Sequence, residues 1–146
     1  MRRLILLLVL AFAPAVFPLS LAVTQTPVIN FGDLAPNEGE WLTLGYSYPP
    51  TKVDCTANAG AWQLSIKSTG FYGPAYMPVS SMKFDLVWPL IPITDVWTNF
   101  TGSDQLIDSG TLAMTKSYSF LWGIRIPTNQ QSGSYYSNIT FTLTGN

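Results

Sequence analysis

Five stretches of this chain alternate apolar and polar residues with a period of two, and that alternation limits the fold more than any other feature. In YSFLWGIRI, Tyr118, Phe120, Trp122, Ile124 and Ile126 fall on one side, against Ser119, Gly123 and Arg125. EWLTLGYSY sets Leu42, Leu44, Tyr46 and Tyr48 on one face, and WQLSIKS does the same with Trp62, Leu64 and Ile66. SMKFDLVW aligns Met82, Phe84, Leu86 and Trp88, with Lys83 and Asp85 opposite as an outward surface pair; YSNITFTLT aligns Ile139, Phe141 and Leu143. Successive side chains of a strand point to opposite faces, so each stretch predicts a strand with one buried face. Weaker strands are expected over 28–31, 53–56 and 105–112, and no window carries a helical stripe.

Segments rich in Gly, Pro, Asn and Ser separate these runs: APNEG, YPPT, NAGA, YGPAYMP, WPLIP, FTGSD and IPTNQQSG. They supply the backbone angles that turns require. Strands that can each bury one face need a second sheet to bury it against. The expectation is all-β: a single antiparallel β-sandwich, immunoglobulin-like or jelly-roll-like, of about seven to nine strands.

The first 22 residues, MRRLILLLVLAFAPAVFPLSLA, read as a secretory signal peptide: two arginines, an apolar run, and small residues at Ser20 and Ala22 before the cut. Cleavage after Ala22 leaves residues 23–146 as the sandwich domain, and no other segment has the length and apolarity of a membrane span. The chain is therefore expected outside the cell. Five Lys+Arg and eight Asp+Glu follow residue 22, scattered rather than clustered. Neutralising phosphates would need a basic stripe, so nucleic acid is not an expected partner.

The chain has no histidine and one cysteine, Cys55. That removes Ser-His-Asp and Cys-His catalysis and the familiar zinc sites, and no phosphate-binding or dinucleotide fingerprint is present. Cys55 shares a face with Val53 and reads as a small buried hydrophobe. The carboxylates Asp33, Glu38 and Glu40 read as a solvated turn rather than a calcium loop, and Asp104 and Asp108 flank Gln105-Leu106-Ile107. No enzyme, cofactor or metal is expected.

Several motifs occur in order: Trp62-x-Leu64 with Ile66, then PVSSMKFDLVW, then SYSFLWGIRIP, then a closing Gly-x-Tyr strand from Gly133 and Tyr135 to Phe141 and Leu143. This arrangement resembles the WxL-type domains of bacterial surface proteins. Their second Trp-x-Leu lies near the C-terminus, and Phe141-Thr142-Leu143 stands in its place here. The resemblance implies non-covalent association with the cell wall, with Trp62, Leu64, Phe141 and Leu143 at the matching positions. The Gly-x-Tyr ending is also shared by pilin-like and spore-coat-like subunits, so a fibre-forming subunit assembling by strand exchange is the alternative, with VTQTPVINF as donor.

For binding, the residues to examine are aromatics that the alternation does not bury: Trp41, Tyr72, Tyr76 and Trp97. Such rings can stack on sugars or pack against a partner such as a cell-wall polymer or another surface protein. Two glycosylation sequons begin at Asn99 and Asn138.

Overall fold

The computed structural model describes residues 18–25, 29–36, 41–44, 50–87 and 96–145. They form nine strands and one short 3-10 turn, Val79–Ser81. The strands are β1 (Leu19–Gln25), β2 (Leu42–Leu44), β3 (Thr51–Ala57), β4 (Trp62–Tyr72), β5 (Met82–Val87), β6 (Thr98–Asn99), β7 (Gln105–Gly110), β8 (Met114–Ile124) and β9 (Tyr136–Gly145). They build two antiparallel sheets, and the protein is a β-sandwich of about nine strands.

The larger sheet runs β1-β3-β8-β5-β6, and the smaller β7-β4-β9. β8 organises the first. Its early residues pair with β3, from Ala57↔Met114 to Thr51↔Phe120, and its last three pair with β2, from Leu44↔Trp122 to Leu42↔Ile124. β2 and β3 thus lie end to end along one side of β8, while β5 lies along the other.

The alternating faces meet in the middle. Val53 and Cys55 of β3, Tyr118, Phe120 and Trp122 of β8, Met82 and Phe84 of β5, and Leu64 and Ile66 of β4 form one buried cluster. Ile139, Phe141 and Leu143 of β9 pack against it, and the Phe120 and Phe141 rings, 4.9 Å apart, join the two sheets. Each such side chain contributes on the order of 2 kcal/mol through the area it removes from water. Phe100, expected near a loop, is 1% exposed and sits 5.0 Å from the Phe84 ring.

Several elements differ from the sequence expectation. No strand forms at 29–31. The Asn30 side chain instead accepts from the Gly32 amide at 2.8 Å, closing a local turn that competes with ladder pairing. β6 carries no apolar alternation of its own and exists through its pairing with β5 at Lys83↔Asn99 and Phe84↔Thr98. Tyr46, Tyr48 and Trp88 lie outside the described residues. β1 pairs with β3 from Leu19↔Ala57 to Gln25↔Lys52, so the cut expected after Ala22 falls inside a strand.

Cys55 is 1% exposed and unbridged. Burial, with a smaller contribution from the Asp54 charge, pushes its thiol from an ordinary 9.0 up to about 11. The fold therefore favours the neutral thiol. That contribution is complete below the unfolded value and is lost as pH climbs toward the folded one. A thiol reagent at pH 8 is expected to label the native protein on the order of 100-fold more slowly than the urea-unfolded chain, read by intact mass. Equal rates would place Cys55 at the surface.

Candidate functional site: an aromatic and cationic patch on the larger sheet

Trp41 precedes β2 and Trp97 precedes β6, far apart in sequence, yet β8 and β5 bring them to one place. At the end of the larger sheet the rows Thr43–Gly123–Lys83–Asn99 run across β2, β8, β5 and β6 in register. Gly123, in the middle of this row, leaves room for the Lys83 stem. A Cβ there would stand 2.7 Å from Lys83 Cε, 3.0 Å from Lys83 Cγ and 3.3 Å from Thr43 Cγ2, so the lysine stem would have to shift from its path across β8.

Lying this way, the lysine carries its ammonium to both indoles. Lys83 Nζ is 4.6 Å from the Trp41 ring centroid and 4.4 Å from that of Trp97. Arg125, just beyond β8, places its guanidinium carbon 5.1 Å from the Trp41 centroid. Its own amide donates to the Ser81 carbonyl at 2.9 Å, which fixes the backbone beneath it. A cation over an indole face is held by the ring quadrupole, worth about 0.5–2 kcal/mol depending on solvent access. Burial lowers the Lys83 ammonium below lysine's ordinary value, and the neighbouring Asp85 carboxylate acts the other way.

Lys83 and Asp85 were expected to form an outward surface pair. The structure corrects this: Asp85 is 3% exposed, beside Leu121 at 4%, while Lys83 turns to the indoles. Trp41 and Trp97 are half-buried rather than fully exposed, because each rests on the lysine. Asn99, across the ladder from Lys83, is exposed at the rim of the patch.

The other aromatic candidates lie on the smaller sheet. Tyr72 and Tyr136, paired in register between β4 and β9, stack with centroids 5.3 Å apart, and Tyr76 is 84% exposed. Among the described residues this second patch carries no cation–ring contact. Asn138 is exposed on β9, its amide donating to Thr69 Oγ1.

The motif residues lie inside. Trp62, Leu64 and Ile66 are 4%, 0% and 0% exposed, and Trp62 Nε1 donates to the Leu112 carbonyl at 2.9 Å. Leu64 faces Leu143 and Ile66 faces Phe141 across the β4–β9 ladder, so the two Trp-x-Leu-like segments are direct neighbours. The Tyr135 hydroxyl donates to the Gln131 carbonyl and accepts from Gln130 Nε2.

Among the described residues no three His, Cys, Asp or Glu side chains gather as metal ligands. An open cleft of about 1080 Å³ at the sandwich end is walled by Ile29, Phe31, Trp122, Tyr135 and Phe141, and Asp33 is the one carboxylate among its described lining. No helix among the described residues is long and apolar enough to cross a membrane. Comparison with protein-family models, curated proteins and solved structures gave no match.

Sequence reasoning chose Trp41 and Trp97 but missed Lys83, Arg125 and Gly123. A glycine inside an otherwise apolar strand, LWGIR, was the available signal, since it marks a close approach by a neighbour.

Proposed function

We propose that this chain is a secreted, non-catalytic surface protein that binds a cell-wall polymer through Trp41, Trp97 and Lys83. The observation that carries this reading is the convergence of two tryptophans on one lysine, on the face of the sheet turned away from the core. Half-exposed indoles on a rigid sheet offer a sugar ring a flat apolar surface whose position is already fixed. The resemblance of the Trp62-x-Leu64 and Phe141-Thr142-Leu143 segments to WxL-type motifs, if it reflects kinship, implies the same wall association. Secreted protein is incubated with isolated cell walls and the pellet assayed. The intact protein is expected to pellet, and Trp41→Ala and Trp97→Ala to stay largely in solution, with Tyr76→Ala as a control that pellets normally. Equal pelleting of all four sinks the assignment to this patch.

One observation favours the alternative of a fibre-forming subunit. β9 offers ten residues without proline or charge along an edge of the smaller sheet, pairing with β4 alone among the described strands. Such an edge lacks the usual devices that discourage pairing with another chain. The proposed donor is partly engaged in its own molecule, since β1 reaches Gln25 and both Ile29 and Phe31 pack against the core. A concentration-dependent ladder of soluble oligomers would favour this reading over wall binding.

A further inference from the structure

We propose that the patch formed by Trp41, Lys83, Trp97 and Arg125 selects anionic sugar units, bearing a carboxylate or phosphate, over neutral ones. This rests on the wall-binding reading and adds the ligand's charge to it.

Five Lys+Arg follow residue 22 in a chain whose formal net charge is −1. Lys116 is paired with Asp108 at 2.7 Å, and Lys52 lies 3.7 Å from Asp54. Lys67 is exposed on β4. The remaining two, Lys83 and Arg125, both lie against the Trp41 indole, and neither has a carboxylate within ion-pairing distance among the described residues. An acidic protein has thus placed two of its few cations beside the same ring.

Two like charges beside one ring repel each other, and the indole faces hold them without neutralising them. The Asp85 carboxylate, two residues along β5, offsets part of the Lys83 charge, and the two cations together outweigh that single carboxylate, so the patch keeps a net positive field for a ligand. A neutral sugar would gain only the apolar surface of the rings. A uronate or sugar phosphate gains that surface plus charge-assisted hydrogen bonds from the ammonium and the guanidinium. Arg125 is exposed, so its fork of donors faces solvent, and Asn99 adds an amide at the rim. Rings and cations are neighbours here, so one sugar residue can meet both.

The full secreted protein is titrated with soluble polymers by a binding assay at low and moderate salt. Polygalacturonate and dextran phosphate supply carboxylate and phosphate on sugar rings. Methyl-esterified polygalacturonate and dextran are the neutral counterparts, and poly-glutamate supplies charge without rings. Polygalacturonate or dextran phosphate is expected to bind at least about tenfold more tightly than its neutral counterpart and than poly-glutamate. The stronger of the two identifies the anion. Lys83→Met keeps the stem and removes the charge, and is expected to abolish that preference while lowering the thermal midpoint by only a few degrees, the loss of the cation–ring contacts. Gly123→Ala displaces the lysine stem and is expected to act in the same direction, and Lys67→Met is expected to bind as the unsubstituted protein does.

Equal binding of charged and neutral polymers, or undiminished preference in Lys83→Met, overturns the inference. Poly-glutamate binding as tightly as the charged glycans does so too, by showing a generic charge effect. If walls still pellet the protein and Trp41→Ala abolishes that while Lys83→Met does not, the wall-binding reading stands and only the anionic preference falls. If neither walls nor any polymer bind, both fall together.

Discussion

Trp122→Ala is expected to lower the unfolding free energy by about 3–5 kcal/mol, the range for emptying a buried aromatic site. Trp122 is 2% exposed. It lies parallel to Phe100 at 6.3 Å and within 5.9 Å of Phe120, while its Nε1 donates to Thr51 Oγ1 at 2.9 Å. It belongs to β8, where β2 and β5 both pair, at Leu44 and at Phe84. The cavity would therefore open where three strands meet, with little freedom to collapse. Thermal unfolding should shift down on the order of 10–20 °C in a domain of this size. Trp122→Phe, which keeps a ring but loses the indole donor, should cost about 1–2 kcal/mol. A shift of less than about 3 °C for the alanine variant would mean that the ring does not fill the core as described.

The second large effect is expected at Asp108. Its carboxylate accepts from Lys116 Nζ at 2.7 Å, from the Tyr118 hydroxyl at 2.8 Å and from the Ser109 amide at 2.8 Å. Partial burial acts to raise its pKa. The bonds from Lys116, Tyr118 and Ser109, with the Lys116 charge, outweigh that and hold it below the ordinary carboxylate value. Tyr118 is 1% exposed, and burial with the bond to Asp108 raises its phenol. Asp108→Ala removes the acceptor of three donors and is expected to cost about 2–4 kcal/mol.

The pH dependence has a definite sign. A depressed carboxylate contributes stability above its unfolded value, near 3.9, and loses it as pH falls through the folded value. Asp108→Asn should therefore be less stable than the parent at pH 7 and converge with it in strong acid, as followed by urea unfolding across pH. A constant difference from pH 7 down to pH 2 would show that the ionised form contributes nothing.

The sequence spoke clearly where one face of a strand is wet and the other dry. β4, β5, β8 and β9 follow from the alternation alone, because period two is the geometry of the strand itself. β1 did not emerge, because LILLLVLAFAPAVFPLSLA is apolar on both sides and a strand at its end has no contrast to display. β6 is held by its neighbour and leaves no pattern of its own. Asp85 and Lys83 illustrate a different limit. Alternation says that they leave the core face, but not that two indoles and a bare glycine wait there. Trp41 and Trp97 could be nominated one at a time as unburied aromatics. Their meeting is a fact of topology, fixed by which strands flank β8.

That topology also bears on the rate of folding. Apart from β5 with β6, no ladder among the described strands joins two that follow one another in the chain. Val53 must find Tyr118, and Leu64 must find Leu143. Each pairing closes a long loop before its contacts can repay the entropy lost, which places such a protein among the slow folders, at milliseconds to seconds. Until β8 arrives, β3 and β5 lack their shared partner; until β9 arrives, β4 lacks one of its two. The nascent molecule thus carries open strand edges for much of its folding time. The yield of native protein should fall as the concentration of freshly diluted, unfolded chain rises, even under conditions where the finished sandwich is stable.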